Sequence, residues 1–379
     1  MVRIVALLLA AVLVLTPVQA GALEVAGKSA VLMDIATGQV LYQQNEKEAL
    51  APASVTKVMT LLLIMEAVDS GRIGWEDVVA ASDTAAAKGE SQIYLKAGEQ
   101  MTVRDMVKSI ADSSANDCAC AMAEHLAGSE AAFVEQMNGR AKELGMENTH
   151  FVNCTGLDDS PEAANHRTSA LDIAIMSREL LKNHPDITEF TTIWMDTVRN
   201  GAFGLSNTNK MVRFYPGCTG LKTGFTSGAG YCLSASAQRD GLGLIAVVMG
   251  AETSQDRFAA CKSMLDHGFA GYALYTPEIP ADAAVPVRLG TEDWAAAVPG
   301  ETAQLLVEKG QLSSVTTELT LESDMAAPVS QGQRLGTLTV RCGEQILTQI
   351  PMVAEAPIPR LTWQQMTGEI LRRIAMARA

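Results

Sequence analysis

The chain has 379 residues and a formal net charge of −14, from 29 Lys and Arg against 43 Asp and Glu. So acidic a chain lacks the basic surface that a phosphate backbone requires, which excludes nucleic acid as a partner. The length suits more than one domain, and 48% hydrophobic against 19% charged residues supports a sizeable core.

Taken in chain order, residues 1–20 form an export signal. Arg3 supplies the positive end, Ile4 to Leu15 the apolar core and Val18-Gln19-Ala20 the small residues for cleavage. The alternative is an uncleaved anchor, but the apolar stretch is short for a bilayer span. Ala30–Met33 and Val40–Gln43 predict a hairpin turned at Thr37-Gly38. A helical region runs from Ser54 to about Leu181, with amphipathic stretches at Glu130–Leu144 and Thr168–Leu181. Strands return between Lys222 and Met249, and a helix near Arg257–Tyr272 closes the unit. Strands first and last with helices between predict one mixed sheet with helices on its faces, within a catalytic domain at 21–275.

Beyond Tyr275-Thr276-Pro277 the composition shifts. Val285–Val287, Gln304–Val307, Thr316–Leu321, Gly336–Val340 and Gln345–Ile350 predict short strands of a small all-β domain at 276–356. It carries no catalytic constellation. It either spaces the catalytic domain from the membrane or docks a partner. At 357–379 the segment from Leu361 predicts one amphipathic helix with Trp363, Met366, Ile370 and Ile374 on one face. Gln365, Glu369, Arg372 and Arg373 lie away from that face, so the helix is cationic within an acidic chain. It lies on a membrane surface or packs on the β-rich domain; it is too polar to span.

Three short motifs stand in one order: Ser54-Val55-Thr56-Lys57, Ser114-Ala115-Asn116 and Lys222-Thr223-Gly224. Each is common by chance, and the set is informative. Pro52 and the apolar run Val58–Met65 place Ser54 near a helix N-terminus, where the dipole favours developing negative charge. Lys57, three residues on, shares its helical face. A serine hydroxyl needs a neighbour to take its proton, and a lysine does so when burial and a second cation, Lys222, lower its pKa. The polar stretch Ser109–Asp117 joins two apolar helical segments. It projects Ser114 as a proton relay and Asn116 as a partner for a substrate amide; the alternative is ordinary helix capping, the expected role of Asp117. Lys222 and Thr223 lie on a predicted edge strand that pairs with a peptide backbone and holds its terminal carboxylate. Gly224 leaves room for that approach. The backbone N–H groups of Ser54 and Phe225 are the candidate oxyanion donors.

These residues, with Ala51-Pro52-Ala53-Ser54, Phe151–Asp158, His166–Ala170, Asn207–Lys210 and Tyr215–Lys222, make the chain resemble the serine-type D-alanyl-D-alanine carboxypeptidases, low-molecular-mass penicillin-binding proteins. The resemblance covers nearly everything after the signal. It implies an α+β, β-lactamase/transpeptidase-like catalytic domain followed by the all-β domain and the C-terminal helix. It makes Ser54 the acylated nucleophile, Lys57 its base, Ser114 and Asn116 the second wall, and Lys222 and Thr223 the carboxylate-binding pair. Some relatives have histidine where this chain has Phe225, which removes side-chain help there but leaves the backbone donor. The implied partners are peptidoglycan stem peptides ending in D-Ala-D-Ala, β-lactams as covalent inhibitors, and a membrane surface through the C-terminal helix. The implied location is the outer face of the cytoplasmic membrane.

No cofactor or metal is expected. The five histidines lack metal-ligand spacing, His166 is expected to fix a loop, and the seven cysteines show no disulfide framework and are expected to be mostly buried small hydrophobes. Three other readings stay open: a serine β-lactamase with Glu162 near the site, a catalytically inactive penicillin-binding sensor, and a transpeptidase.

Overall fold

The computed structural model describes residue 23, residues 25–301 and residues 304–368. The export signal at 1–20 and positions 369–379 of the C-terminal segment lie outside the described residues. The chain opens on β1 (Ser29–Asp34) and β2 (Val40–Gln44), paired antiparallel. Their turn is locked by Asp34 Oδ2, which accepts from Thr37 N and Thr37 Oγ1, both at 2.6 Å. Gly38 supplies the left-handed residue, φ +78°.

A single 3-10 turn, Ala53–Thr56, runs into helix α1 (Lys57–Asp69). Ten of the thirteen α1 residues are buried, because the helix is apolar nearly all round and threads the core. Then come β3 (Val78–Ala80), α2 (Asp83–Ala86), β4 (Gln100–Thr102), α3 (Val103–Ser113), α4 (Asn116–Ala127), α5 (Glu130–Glu143) and α6 (Ala170–Asn183). Thr102, Ser129 and Ser169 cap α3, α5 and α6 by accepting from a backbone N–H three residues on. The predicted helical region is therefore real but interrupted, by the β3–β4 ladder among others.

After α7 (Thr188–Thr191) a hairpin of β5 (Met195–Val198) and β6 (Phe203–Ser206) precedes α8 (Met211–Phe214). Strands β7 (Cys218–Thr226), β8 (Gly230–Arg239) and β9 (Leu242–Ala251) follow. Helix α9 (Ser254–Gly271) begins at a capping box in which Thr253 and Asp256 bond each other's backbone N–H.

The central sheet has the order β2-β1-β9-β8-β7, so β7 is an edge strand. All four ladders are antiparallel. The mixture expected from the sequence therefore lies in the alternation of helices and strands and not in strand direction. Both faces are covered, and the period of two sorts each strand between two cores. Val31, Met33, Ile245 and Val247 join the large core around α1, α3, α4 and α6. Ala30, Leu32, Leu244 and Val248 join a smaller core under α9.

After α9, β10 (Tyr272–Tyr275) leads to β11 (Ala284–Arg288), β12 (Trp294–Pro299), β13 (Leu305–Glu308), β14 (Val315–Leu321), β15 (Met325–Ala326), β16 (Arg334–Cys342) and β17 (Gln345–Ala354). Six of these form a sheet in the order β14-β16-β17-β12-β11-β15 over a separate core that includes Val285, Leu338, Ile350 and Met352. β13 does not join it. β13 pairs with β10, and Lys309 Nζ donates to Phe269 O at 2.7 Å, tying the β-rich region to the end of α9. Residues 363–368 are helical; Trp363 is 82% exposed and Met366 is half-buried. Among the described residues no helix is long and apolar enough to cross a membrane.

Candidate active site

Ser54 lies half-buried on the 3-10 turn, and Lys57 opens α1 one turn later. Lys57 is fully buried; its Nζ donates to Ser54 Oγ at 3.0 Å and to Thr155 O at 2.8 Å. Burial lowers the Lys57 ammonium to about 7, against the weaker opposing pull of Cys154, Glu90 and Asp117. Near neutral pH a large share of Lys57 is therefore free base, in hydrogen-bond reach of the Ser54 hydroxyl.

Ala53, just before Ser54, has φ +49°, a left-handed conformation that costs a non-glycine residue about 1–3 kcal/mol. Several bonds hold it there. Thr56 Oγ1 donates to Ala53 O at 2.8 Å and accepts from His166 Nε2 at 2.8 Å, while His166 Nδ1 accepts from Val152 N at 3.1 Å. This chain requires a neutral His166 with its proton on Nε2, and burial pushes its pKa down to about 4. Gly156 packs on Ala53 O so closely that a Cβ there would overlap the carbonyl. Asn153 Oδ1 accepts from Thr155 N at 3.2 Å and Gly156 N at 2.6 Å, and so fixes the carbonyl that anchors Lys57.

The second wall is the α3–α4 turn. Ser114 is left-handed (φ +61°, ψ +28°) and ends α3; Asn116 begins α4. Asn116 Nδ2 donates to Gly89 O at 2.8 Å and its backbone N to Ser91 O at 2.7 Å. Ser114 Oγ and Asn116 Oδ1 are buried with no partner among the described residues, which leaves one hydroxyl and one acceptor unsatisfied. Asp117 is not the cap of α4, which is Ala115 without a side-chain cap bond; it lies in the first turn, accepts from Cys118 N at 2.9 Å and ties the preceding segment through Ile93 N and Leu95 N.

The third wall is edge strand β7. Lys222 is buried, and its Nζ donates to Thr223 O at 3.0 Å. Burial lowers its pKa well below the ordinary lysine range, and the neighbouring cations Lys57 and Arg257 add to this. The Thr223 hydroxyl donates to Thr208 Oγ1 at 2.7 Å. A Cβ on Gly224 would stand 2.7 Å from Pro52 O and 3.0 Å from Ser54 N, so only glycine lets β7 lie against the nucleophile turn. Phe225 is 50% exposed and stacks on Tyr231 with ring centroids 4.3 Å apart. The first and third motifs meet directly, since Gly224 abuts Ser54 N and the Lys57 Nζ donates to Ser54 Oγ.

Four contributors carried no signal in the motifs. Thr155 and Asn153 anchor Lys57; Arg257 Nη1 donates to Gly224 O at 2.9 Å and so braces β7 from α9; and Asp112 lies buried behind the second wall. Only residue-by-residue family resemblance around 151–158 singled out the first two. Glu162, weighed as the deacylation glutamate of a β-lactamase, is exposed on a one-turn helix. Among the described residues no cluster of His, Cys, Asp or Glu has metal-binding geometry, and all seven cysteines are free thiols, five of them buried.

Residues 16–253 match the family model described as D-alanyl-D-alanine carboxypeptidase, and residues 278–360 match the penicillin-binding protein 5 C-terminal domain. The chain is 44% identical over 334 residues to the D-alanyl-D-alanine carboxypeptidase DacF of Bacillus subtilis, covering 86% of this chain and 85% of that protein. It superposes on penicillin-binding protein 5 of Haemophilus influenzae with a TM-score of 0.76 at 28% identity, covering 89% of this chain and 98% of that one. It also superposes on ampicillin-bound penicillin-binding protein D2 of Listeria monocytogenes with a TM-score of 0.60 at 32% identity, covering 65% of this chain and 99% of that one. The chain belongs to the D-alanyl-D-alanine carboxypeptidase family, serine-type hydrolases among the low-molecular-mass penicillin-binding proteins.

Proposed function

We propose that Ser54, Lys57, Ser114, Asn116, Lys222 and Thr223 carry the carboxypeptidase reaction of this family, removing the terminal D-alanine from peptidoglycan stem peptides. The observation that carries the assignment is the buried Lys57 Nζ on Ser54 Oγ at 3.0 Å, with its pKa lowered to about 7. The substrate backbone lies along β7, its terminal carboxylate on Lys222 and Thr223 and its penultimate amide on Asn116. Ser54 Oγ adds to the penultimate D-Ala carbonyl carbon while its proton passes to Lys57. The oxyanion is held by the backbone N–H groups of Ser54 and Phe225, where the close approach of Gly224 to Ser54 N brings the two strands of backbone together. The C–N bond then breaks, and the departing amine of D-alanine takes a proton relayed through Ser114. Water hydrolyses the ester and regenerates Ser54.

A β-lactam presents a carbonyl and a carboxylate in the same relation and acylates the same hydroxyl; the ampicillin complex of the Listeria relative supports this. Export by residues 1–20, cleavage there, and docking of residues 357–379 on the outer face of the cytoplasmic membrane complete the reading. The exposed Trp363 supports the docking. The β-rich region at 276–356 then holds the catalytic domain away from that surface.

The test is labelling with a fluorescent penicillin and hydrolysis of a D-Ala-D-Ala peptide. Ser54→Ala, folded by circular dichroism, loses both. Covalent labelling that survives in Ser54→Ala assigns the nucleophile elsewhere.

A further inference from the structure

Outside the cleft, a groove of about 560 Å³ lies between α8 and the first half of α9. Its floor is apolar and aromatic. Met211 and Tyr215 are buried, Phe258 is half-buried and Phe214 is 70% exposed. The Phe214 ring is held from behind. Trp194 meets it edge-on with centroids 6.0 Å apart, and the Arg213 guanidinium lies 5.6 Å from its centre. Arg257 braces the other aromatic wall, 4.9 Å from the centre of the Phe258 ring. Rings fixed in this way lose little freedom when a ligand packs on them.

The rim of the groove is cationic. Lys210, at the start of α8, and Lys262, on α9, are both exposed, and neither makes an ion pair among the described residues. No Asp or Glu lines the groove among the described residues. Two carboxylates of α9 are engaged elsewhere: Asp256 in the capping box, and Asp266 as acceptor from the Tyr215 hydroxyl at 2.8 Å. A chain of net charge −14 repels an anionic polymer on average, so a groove lined by lysines without carboxylates is where such a polymer is favoured.

Both walls of the groove are tied to β7. Thr208, two residues before Lys210, accepts from Thr223 Oγ1 at 2.7 Å, and Asn209 Nδ2 donates to Gly220 O at 3.0 Å. At most about 7 Å of chain separates Lys210 from Thr208. On the other side Arg257, next to Phe258, donates to Gly224 O at 2.9 Å. The groove therefore adjoins the strand on which the scissile peptide is proposed to lie.

We infer that the groove between α8 and α9 is a second binding site for peptidoglycan, taking the polymer beyond the scissile stem peptide. Phe214 and Phe258 face the apolar side of a sugar ring, and Lys210 and Lys262 meet carboxylates of a neighbouring stem peptide. The inference rests on the peptidoglycan substrate proposed above. The volume suits one unit of the polymer, since ligand clefts run to about 300–1,000 Å³. An acidic protein segment has similar chemistry; the attachment of both walls to β7 favours the polymer proposed to lie on that strand.

The experiment is sedimentation of the mature Ser54→Ala protein with insoluble peptidoglycan, in excess soluble D-Ala-D-Ala peptide. The peptide fills the cleft and leaves the groove. Phe214→Ala, and Lys210→Glu combined with Lys262→Glu, are added to that background. All three side chains are exposed, so these changes leave the core alone. Each variant, folded by circular dichroism, binds about tenfold more weakly, as loss of one charged or aromatic contact implies. Added salt weakens the parent in the same direction. Undiminished sedimentation of both variants overturns the inference. So does displacement by polyglutamate as effective as displacement by peptidoglycan fragments, which would assign the groove to an acidic protein segment. With Ser54 in place, the ratio of kcat/KM on soluble peptidoglycan chains to that on the free peptide falls about tenfold in the same variants. An equal loss on both substrates marks a packing defect and overturns the inference. Unsubstituted enzyme that hydrolyses neither substrate overturns the catalytic reading, and sedimentation still decides the groove.

Discussion

The two halves of the chain on either side of residue 276 treat buried polar groups in opposite ways. Behind the cleft, Lys57, Lys222, Asp112, Asn116, Asp117 and Ser114 are all buried, and His166 and Arg257 brace the walls. In the β-rich region the core is aliphatic, and Thr339 is the one buried polar side chain among the described residues. A buried charge is costly unless it is paired or bonded, so a fold that keeps several around one cleft gives up stability there. The left-handed backbone at Ala53 and Ser114 adds to that cost. The difference teaches where the chemistry resides. One region holds buried polar groups around the Ser54 turn, and the other is packed on aliphatic side chains.

That contrast can be broken by substitution, beginning with the largest effect on catalysis. Lys57→Ala removes the base and slows acylation by a β-lactam about 10²–10⁴-fold, measured by stopped-flow labelling. Rates near the parent value would place the base elsewhere. In the unsubstituted enzyme the same group sets the acid limb. With Lys57 as the proposed base, activity is lost as pH falls through its pKa near 7, with kcat/KM dropping about tenfold per unit below it. A profile flat from about pH 5 to 8 would contradict that assignment.

Lys222→Ala comes next. Loss of a charge-assisted contact to the terminal carboxylate lowers kcat/KM for the free acid roughly tenfold to a hundredfold and leaves the amide nearly unchanged. An unaltered acid-to-amide ratio would remove Lys222 from the substrate site.

Two further changes should leave the chemistry alone, which is what the other half of the comparison requires. Leu338 is fully buried in the aliphatic core of the β-rich region. Leu338→Ala lowers stability by about 2–5 kcal/mol, read by denaturant unfolding, while kcat/KM per folded enzyme stays put. Altered catalysis by the folded fraction would show that the β10–β13 ladder transmits strain to the cleft. Truncation after Pro359 releases the mature protein from anionic vesicles and does not change hydrolysis of a soluble peptide. Each large side chain inserted contributes about 1.5–3 kcal/mol, so Trp363 and its neighbours make reversible anchors. Full-length protein that fails to sediment with such vesicles would favour packing of the helix on the β-rich domain.

Much of this was legible in the residues. The Ser54/Lys57 pairing follows from a spacing of three on a helical turn, and the succession β7, β8, β9 follows from strands punctuated by Gly228-Ala229-Gly230 and Asp240-Gly241. Other signals stand in the sequence as well. Asn200-Gly201, both left-handed, announces the β5–β6 hairpin. The strand at 305–308 was expected in the β-rich sheet; its own residues carry β-propensity but nothing that selects β10 over β12 as a partner.

By itself the sequence determined the main helical and strand regions and the three motifs, because these depend on local spacing and periodicity, and it carried the family through the matching stretches around those motifs. Only the tertiary structure decided the rest. It chose which strands pair, set Thr155 O and the His166–Thr56 bond behind the Ser54 turn, and placed Arg257 under β7. The physical reason is that desolvation and charge coupling depend on what surrounds a side chain in space. Lys57, which reads in sequence as one lysine at a helix start, is desolvated by the core around α1 and held by a carbonyl from residue 155.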